Sequence, residues 1–299
     1  MTPAVPPPPT PNWHSRFVSV DGVRTHYLEA GEGPPLVLLH SGEFGGCAEL
    51  SWEYLIGPLS ENFRVLAPDW LGYGRTDKIH DFGGKRGRML AHLRRFLEVM
   101  EIGRADFVGN SMGATWLTQE AALVPPGLPV NRIVVLSGAG YVPDNAYRRM
   151  TLDYDCTPEG MRRLLSAIFH SPVWSTDPAY VERRNTLATA PGAWEAVAAA
   201  RFKSPLTPPR SSHGQPDRTE YELVTAPTLL IAGKEDKLRE PGYATGLAER
   251  IKGCELLVIP DCGHCPNIER PDVVLSHTLR FLAAPAPMTG TTTPLRTVS

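Results

Sequence analysis

Six short apolar runs recur along the chain without internal alternation: PLVLLH (35–40), RVLAPD (64–69), ADFVGN (105–110), RIVVLSG (132–138), PTLLIAG (227–233) and CELLVIPD (254–261). Strands covered on both faces have this character, so six of them separated by helical stretches predict a parallel sheet with crossover helices. Upstream, FVSV, a DG turn and VRTHYLEA (23–30) predict a hairpin of two further strands, for eight in all. MLAHLRRFLEVMEI (89–102) has apolar residues at helical spacing, and SMGATWLTQEAAL (111–123) opens a helix straight after a strand. From about Tyr141 to Tyr221 there are helical pieces, EGMRRLLSAIF and PAYVERRNTLA, but no strand signal. An all-helical insert between two core strands predicts a lid.

The expected organisation is a proline-rich tail over 1–15, an α/β core over 16–140 and 222–283, a helical lid over 141–221, and a Pro/Thr-rich tail over 284–299. Both tails are expected to be disordered.

Thirty basic residues against 32 acidic ones give a formal charge of -2, which supplies no field to draw in nucleic acid or an anionic membrane. A small neutral or weakly anionic substrate is the expected partner. The opening MTPAVPPPPTPNW has no charged segment followed by an apolar stretch, and no run approaches the ~18 apolar residues of a membrane span, so the cytoplasm is the expected compartment. Five scattered cysteines do not form a disulfide framework. Cys262 and Cys265 are spaced C-x-x-C, but without a second ligand pair they predict buried, reduced thiols rather than a metal site.

Gly109-Asn110-Ser111-Met112-Gly113 follows a strand and opens a helix, the strand-turn-helix setting of a nucleophile elbow. A turn this tight leaves no room for a Cβ at the flanking positions and pushes the serine hydroxyl out over the sheet edge. A serine needs a base within hydrogen-bond reach, and partners in the order Ser, acid, His appear after later strands. Asp236 follows PTLLIAG, with neighbouring Glu235 as a competitor, and His264 follows CELLVIPD. All three fall at strand carboxyl ends, where open α/β sheets place their sites. The expected oxyanion donors are the backbone N–H groups of Met112 and Gly42, the latter in the loop HSGEFGG (40–46). Glu43 fits beside such an anion pocket only if its carboxylate points to water. Asp69 has no base or nucleophile role left to fill and is expected to be structural.

Taken together, these residues resemble the α/β-hydrolase superfamily from about Arg16 to Leu282. GNSMG, FRVLAPDWLGYGRTD (63–77) and DCGH (261–264) are similar to the meta-cleavage product hydrolases, which cut a carbon-carbon bond in ring-opened 2-hydroxy-6-oxo-dienoates. The resemblance implies that Asn110, beside the nucleophile, and a lid arginine help to hold the substrate. Arg184 falls at about the place of that arginine and Arg183 is its rival; the alternative is that both lie on a solvated helix face. The chain departs from the group's usual pattern in two places, HSGEFGG for H-G-x-G-P-G and Cys265 for a Trp after the histidine. Both departures put Ser41 and Cys265 at the substrate pocket.

Three functions remain open on the sequence. The first is carbon-carbon hydrolysis of a vinylogous diketone, for which the resemblance implies a proton shift by His264 before attack by water or Ser111. The second is an esterase or lactonase working through an acyl-Ser111. The third is a non-hydrolytic lyase, cyclase or ligand receptor on the same fold. No cofactor or metal is implied, since the glycine strings lack G-x-G-x-x-G after the first strand and G-K-[ST]. A homodimer is the expected oligomer.

Overall fold

The computed structural model describes residues 5–83, 85–201, 213–284 and 296–297. Residues 1–4 of the expected N-terminal tail, 202–212 of the expected lid, and 285–295 and 298–299 of the expected C-terminal tail lie outside the described residues.

Strands β1 (His14–Val20) and β2 (Val23–Ala30) form the expected hairpin, with Val20 opposite Val23 across the Asp21-Gly22 turn. The hairpin starts at His14, so the boundary expected at residue 16 moves two residues upstream. The six apolar runs become β3 (Pro35–Leu39), β4 (Arg64–Pro68), β5 (Ala105–Asn110), β6 (Val130–Leu136), β7 (Thr228–Gly233) and β8 (Glu255–Ile259). A two-residue β9 (Arg296–Thr297) pairs parallel with β8, so the C-terminal stretch supplies a ninth strand that nothing in its Pro/Thr-rich composition signals. The sheet order is β1-β2-β4-β3-β5-β6-β7-β8-β9, antiparallel for β1/β2 and β2/β4 and parallel beyond. Every residue of β5 and β7 is buried, which explains why their sequences run apolar without alternating.

Between β3 and β4 lie the short helices α1 (Ala48–Trp52) and α2 (Ile56–Ser60). The crossovers α3 (Lys85–Val99) and α4 (Met112–Ala121) flank β5. The expected insertion between β6 and β7 is built from α5 (Ala146–Leu152), α6 (Pro158–Ile168), α7 (Val173–Thr176), α8 (Pro178–Ala188) and α9 (Ala193–Ala198). Its helix starts are written locally. Thr157 and Asp177 cap α6 and α8 by accepting the N–H groups of Gly160 and Tyr180, and Pro158 and Pro178 occupy the first helical positions, where the missing N–H costs nothing. Helices α10 (Tyr243–Arg250), α11 (Pro266–Glu269) and α12 (Pro271–Ala283) complete the chain. Among the described residues no helix is long and apolar enough to cross a membrane.

The irregular segment before β1 is packed against the body rather than free: Tyr54 donates its hydroxyl to Pro6 O at 3.0 Å, and Val5 and Trp13 pack on the core. Asp69, at the end of β4, ties loops together. It accepts from His26 Nδ1 at 2.6 Å, Ala48 N at 2.7 Å and Arg75 N at 2.8 Å. Burial alone would raise this carboxyl, but the hydrogen bond and charge of His26 and the nearby His40 hold it below its ordinary 3.8. A carboxyl depressed on folding stabilises the protein above its unfolded value, and that contribution fades as pH falls through the folded one. Asp69→Asn should therefore cost about 3 kcal/mol at pH 7, because one partner of a buried charged network is lost. Its stability should also fall less steeply than the parent's as pH drops below about 4. Urea melts of both proteins across that range check this, and parallel pH profiles would refute it.

Candidate active site

Strand β5 runs directly into Ser111, whose backbone sits at φ 52° and ψ -110°. A non-glycine residue rarely adopts a positive φ, and here the surroundings enforce it. Ser111 N–H donates to Leu136 O at 2.9 Å, and Ser111 O accepts from Thr115 N and Thr115 Oγ1, each at 2.8 Å. A Cβ on Gly113 would fall 2.2 Å from Leu39 O, so only glycine allows α4 to come this close to β3.

His264, after β8, lies within reach of both expected partners. Its Nδ1 is 2.7 Å from Asp236 Oδ2 and its Nε2 is 2.7 Å from Ser111 Oγ. A carboxylate can only accept, so the ring proton belongs on Nδ1 and Nε2 is left to accept the serine proton. Burial pushes the Asp236 carboxyl up, yet the His264 ring, the Arg239 charge and the Leu238 N–H outweigh it and hold the carboxyl below its ordinary value. Arg239 is itself fixed by donating to Ala139 O and Ser137 O at 2.8 and 3.0 Å. The competitor Glu235 accepts from Cys262 N at 3.1 Å, so it braces the loop before the histidine and leaves the ring to Asp236.

The two residues expected to supply oxyanion donors lie at the start of α4 and in the loop after β3. As the first residue of α4, Met112 has an N–H with no intrahelical acceptor. Gly42 packs against the same residue, since a Cβ on Gly42 would lie 2.5 Å from Met112 Sδ. Its carbonyl is held by the Tyr73 hydroxyl at 3.0 Å. The loop also depends on His40, which donates from Nδ1 to Ser41 O at 2.6 Å while Nε2 accepts from Trp70 N at 3.0 Å. Burial lowers the His40 pKa, in keeping with a neutral ring that donates on one side and accepts on the other.

The insertion is stitched to the histidine loop by bonds that no local motif signals. His264 N donates to Ile168 O at 2.8 Å. Glu269 accepts from Gly263 N at 2.8 Å with one oxygen, and from His170 N and Ser171 N at 2.9 and 3.1 Å with the other. Lys237 Nζ donates to Ser166 O at 2.9 Å. Apart from Glu269 and Gly263, which are six residues apart, the partners are far from each other in the chain, so only the fold reveals these contacts.

Several residues expected at the substrate side make contacts within the protein. Glu43 does not point to water: its carboxylate is buried and lies 2.8 Å from Arg184 Nη2. Burial alone would raise it, but the Arg184 charge and a hydrogen bond from Ser41 keep it below its ordinary value. Ser41 thereby serves the ion pair. The rivalry of the two arginines is resolved, because Arg183 pairs with Glu49 and Glu53 on α1 and the C-terminal flank of that helix, while Arg184 is fully buried against the loop after β3. Asn110, expected to face substrate, donates from Nδ2 to Leu136 O and His264 O, each at 3.2 Å, and so ties the histidine loop to β5 and β6. Cys265 is buried, and burial pushes its thiol well above the ordinary range. Cys47, Cys254 and Cys262 are buried too, whereas Cys156 is exposed.

A serine on a strand-to-helix elbow, a histidine and an aspartate drawn from successive strand ends of a mostly parallel sheet define a serine hydrolase. The chain belongs to the alpha/beta hydrolase family, whose model matches residues 36–277. Among curated relatives it is similar to the 2-hydroxy-6-oxo-6-(2'-aminophenyl)hexa-2,4-dienoic acid hydrolase of Metapseudomonas resinovorans, with 34% identity over 92% of each chain. The 2-hydroxymuconate semialdehyde hydrolase of a Pseudomonas species is 31% identical over 90% of this chain and 93% of its own. Among solved structures, a serine hydrolase involved in carbazole degradation superposes with a TM-score of 0.76 at 33% identity, covering 91% of this chain and 99% of the other. A meta-cleavage product hydrolase from Pseudomonas fluorescens gives a TM-score of 0.80 at 27% identity, covering 89% and 97%.

The two adjacent carboxylates predict opposite behaviour. Asp236→Asn should lower kcat by about a thousand- to ten-thousand-fold by spoiling the ring tautomer, while Glu235→Gln should stay within about threefold of the parent. Steady-state turnover of p-nitrophenyl acetate measures both, and equal losses would refute the assignment.

Proposed function

We propose that the chain hydrolyses a carbon-carbon bond in a ring-opened 2-hydroxy-6-oxo-dienoate, within the cytoplasmic breakdown of aromatic compounds. The unbroken line from Asp236 through His264 to the Ser111 hydroxyl carries this reading, with both links at 2.7 Å. The relatives' activities supply the substrate class, and Arg184 supplies a matching receptor.

In this mechanism His264 first moves a proton so that the dienol becomes a vinylogous diketone. Ser111 then attacks the 6-oxo carbon, giving its proton to Nε2, while the oxyanion is met by the N–H groups of Met112 and Gly42. Collapse breaks the bond between C5 and C6. The electron pair leaves into a dienolate conjugated with the 2-oxo acid, and the imidazolium of His264 returns a proton to it. Water, activated by the same ring, releases the acyl group from Ser111. One water is consumed, and a carboxylic acid and a 2-hydroxydienoate are formed. Asp236 holds the ring tautomer throughout and stabilises the imidazolium.

The substrate's carboxylate is bound by Arg184, whose planar guanidinium suits it and whose Nε and Nη1 are buried without hydrogen-bond partners among the described residues. Asn110 acts on the base through the backbone of His264, while its Oδ1 is buried without a hydrogen-bond partner among the described residues.

The chromophore makes the test direct. The purified protein should bleach a yellow 2-hydroxy-6-oxo-6-phenylhexa-2,4-dienoate with kcat/KM at least about a hundredfold above that for p-nitrophenyl acetate, and Ser111→Ala should abolish both. Fast ester turnover without bleaching would instead establish the esterase or lactonase. Turnover that survives Ser111→Ala would point to non-hydrolytic chemistry.

A further inference from the structure

The loop after β3 places a carboxylate where an anionic substrate is meant to arrive. Arg184 is fully buried, and Glu43 meets only one of its nitrogens, Nη2, at 2.8 Å. Nε and Nη1 have no partner among the described residues, and the buried hydroxyl of Tyr180, whose ring lies 5.8 Å from the guanidinium, has none either. Buried donors normally find acceptors, so three left open around one cation among the described residues mark a place for an anion. The location is catalytic. Glu43 follows the oxyanion residue Gly42 in the chain, and Cys265, next to the catalytic histidine, lies within the electrostatic reach of both Glu43 and Arg184.

Glu43 resolves one problem and creates another. A buried guanidinium with no counter-ion is costly, and Glu43 supplies the counter-ion while the site is empty. When a carboxylate enters, however, the same charge stays beside it and opposes it.

We propose that Glu43 is a specificity-determining counter-ion, which offsets the charge of Arg184 and so limits how tightly the site holds a carboxylate. The proposal rests on the reading of Arg184 as the carboxylate receptor. The ground state is thereby held loosely and the anionic product is released easily. Glu43 touches no reacting atom in this scheme and acts through Arg184.

Hexa-2,4-dienoate and hexa-2,4-dienamide, alike in shape and different in charge, separate this role from a purely structural one without relying on carbon-carbon cleavage. Calorimetric titration of the parent and of Glu43→Gln with each ligand gives the dissociation constants. Removing the opposing charge should tighten the carboxylate by about tenfold and leave the amide within about twofold. A merely structural glutamate would weaken both ligands together. Either that pattern, or unchanged affinity for both, or no carboxylate binding in either protein, would overturn the proposal. Glu43→Gln with Arg184→Gln removes both charges and should bind acid and amide alike; a surviving preference for the acid would also overturn it. If Glu43→Gln does not stay folded alone, hexa-2,4-dienoate should restore its folded circular dichroism and the amide should not, by ligand-linked stabilisation. Rescue by neither, or by both equally, would overturn the proposal. Bleaching of the phenyl dienoate by the parent is scored separately, so failure of the substrate assignment is told apart from failure of the Glu43 assignment.

Discussion

The molecule is organised around the close approach of α4 to β3, which forces Ser111 into a backbone conformation that serine avoids. Strain of that kind costs of order 1–3 kcal/mol and persists only where the surroundings over-determine it. They do so here: Leu136 O and both donors of Thr115 grip the Ser111 backbone, while Gly113 lies so close to Leu39 O that no Cβ would fit between them. The same geometry aims the hydroxyl at His264 and opens the Met112 N–H at the helix start. One constraint thus positions the nucleophile and the first backbone N–H of α4 together, and the buried residues of β5 hold it in place.

The base is held from a different direction. His264 is at once the end of the β8 loop and a docking point for the insertion, since its N–H meets Ile168 O while its carbonyl meets Asn110. Glu269 spans the same seam, bonding Gly263 on one side and the residues that follow α6 on the other. The insertion and the base are therefore coupled by construction. An insertion displaced at Ile168 takes the backbone of the base with it, and a catalytic ring misplaced by about 1 Å is enough to lose a large factor in rate.

Legibility in the sequence followed the range of the interaction. The six buried strands, the hairpin and the nucleophile elbow are all written in neighbouring residues, so pattern alone recovered them. Ser111, Asp236 and His264 were legible because chain order and strand-end position are local facts, even though their meeting is not. The interior role of Asn110 was hidden, because its partners belong to β6 and to the β8 loop. Glu43 misled for a similar reason: a carboxylate beside an anion pocket belongs in water unless a cation 141 positions away reaches it, and Arg184 does. Strand β9 has no apolar pattern at all and is defined only by the β8 edge it pairs with.

Arg183 and Arg184 show how finely that boundary can fall. Consecutive helical residues are turned by about 100° from one another, so two identical side chains on α8 must face different surroundings. One reaches Glu49 and Glu53 and fastens the insertion to the core at a half-exposed seam. The other enters the interior, where its charge can be tolerated only with a counter-ion, and the loop after β3 provides Glu43. A sequence in which that loop carried a neutral residue would leave the inner arginine without its carboxylate partner. The presence of Glu43 and the burial of Arg184 are thus a single structural decision, made jointly by two segments that the chain keeps far apart.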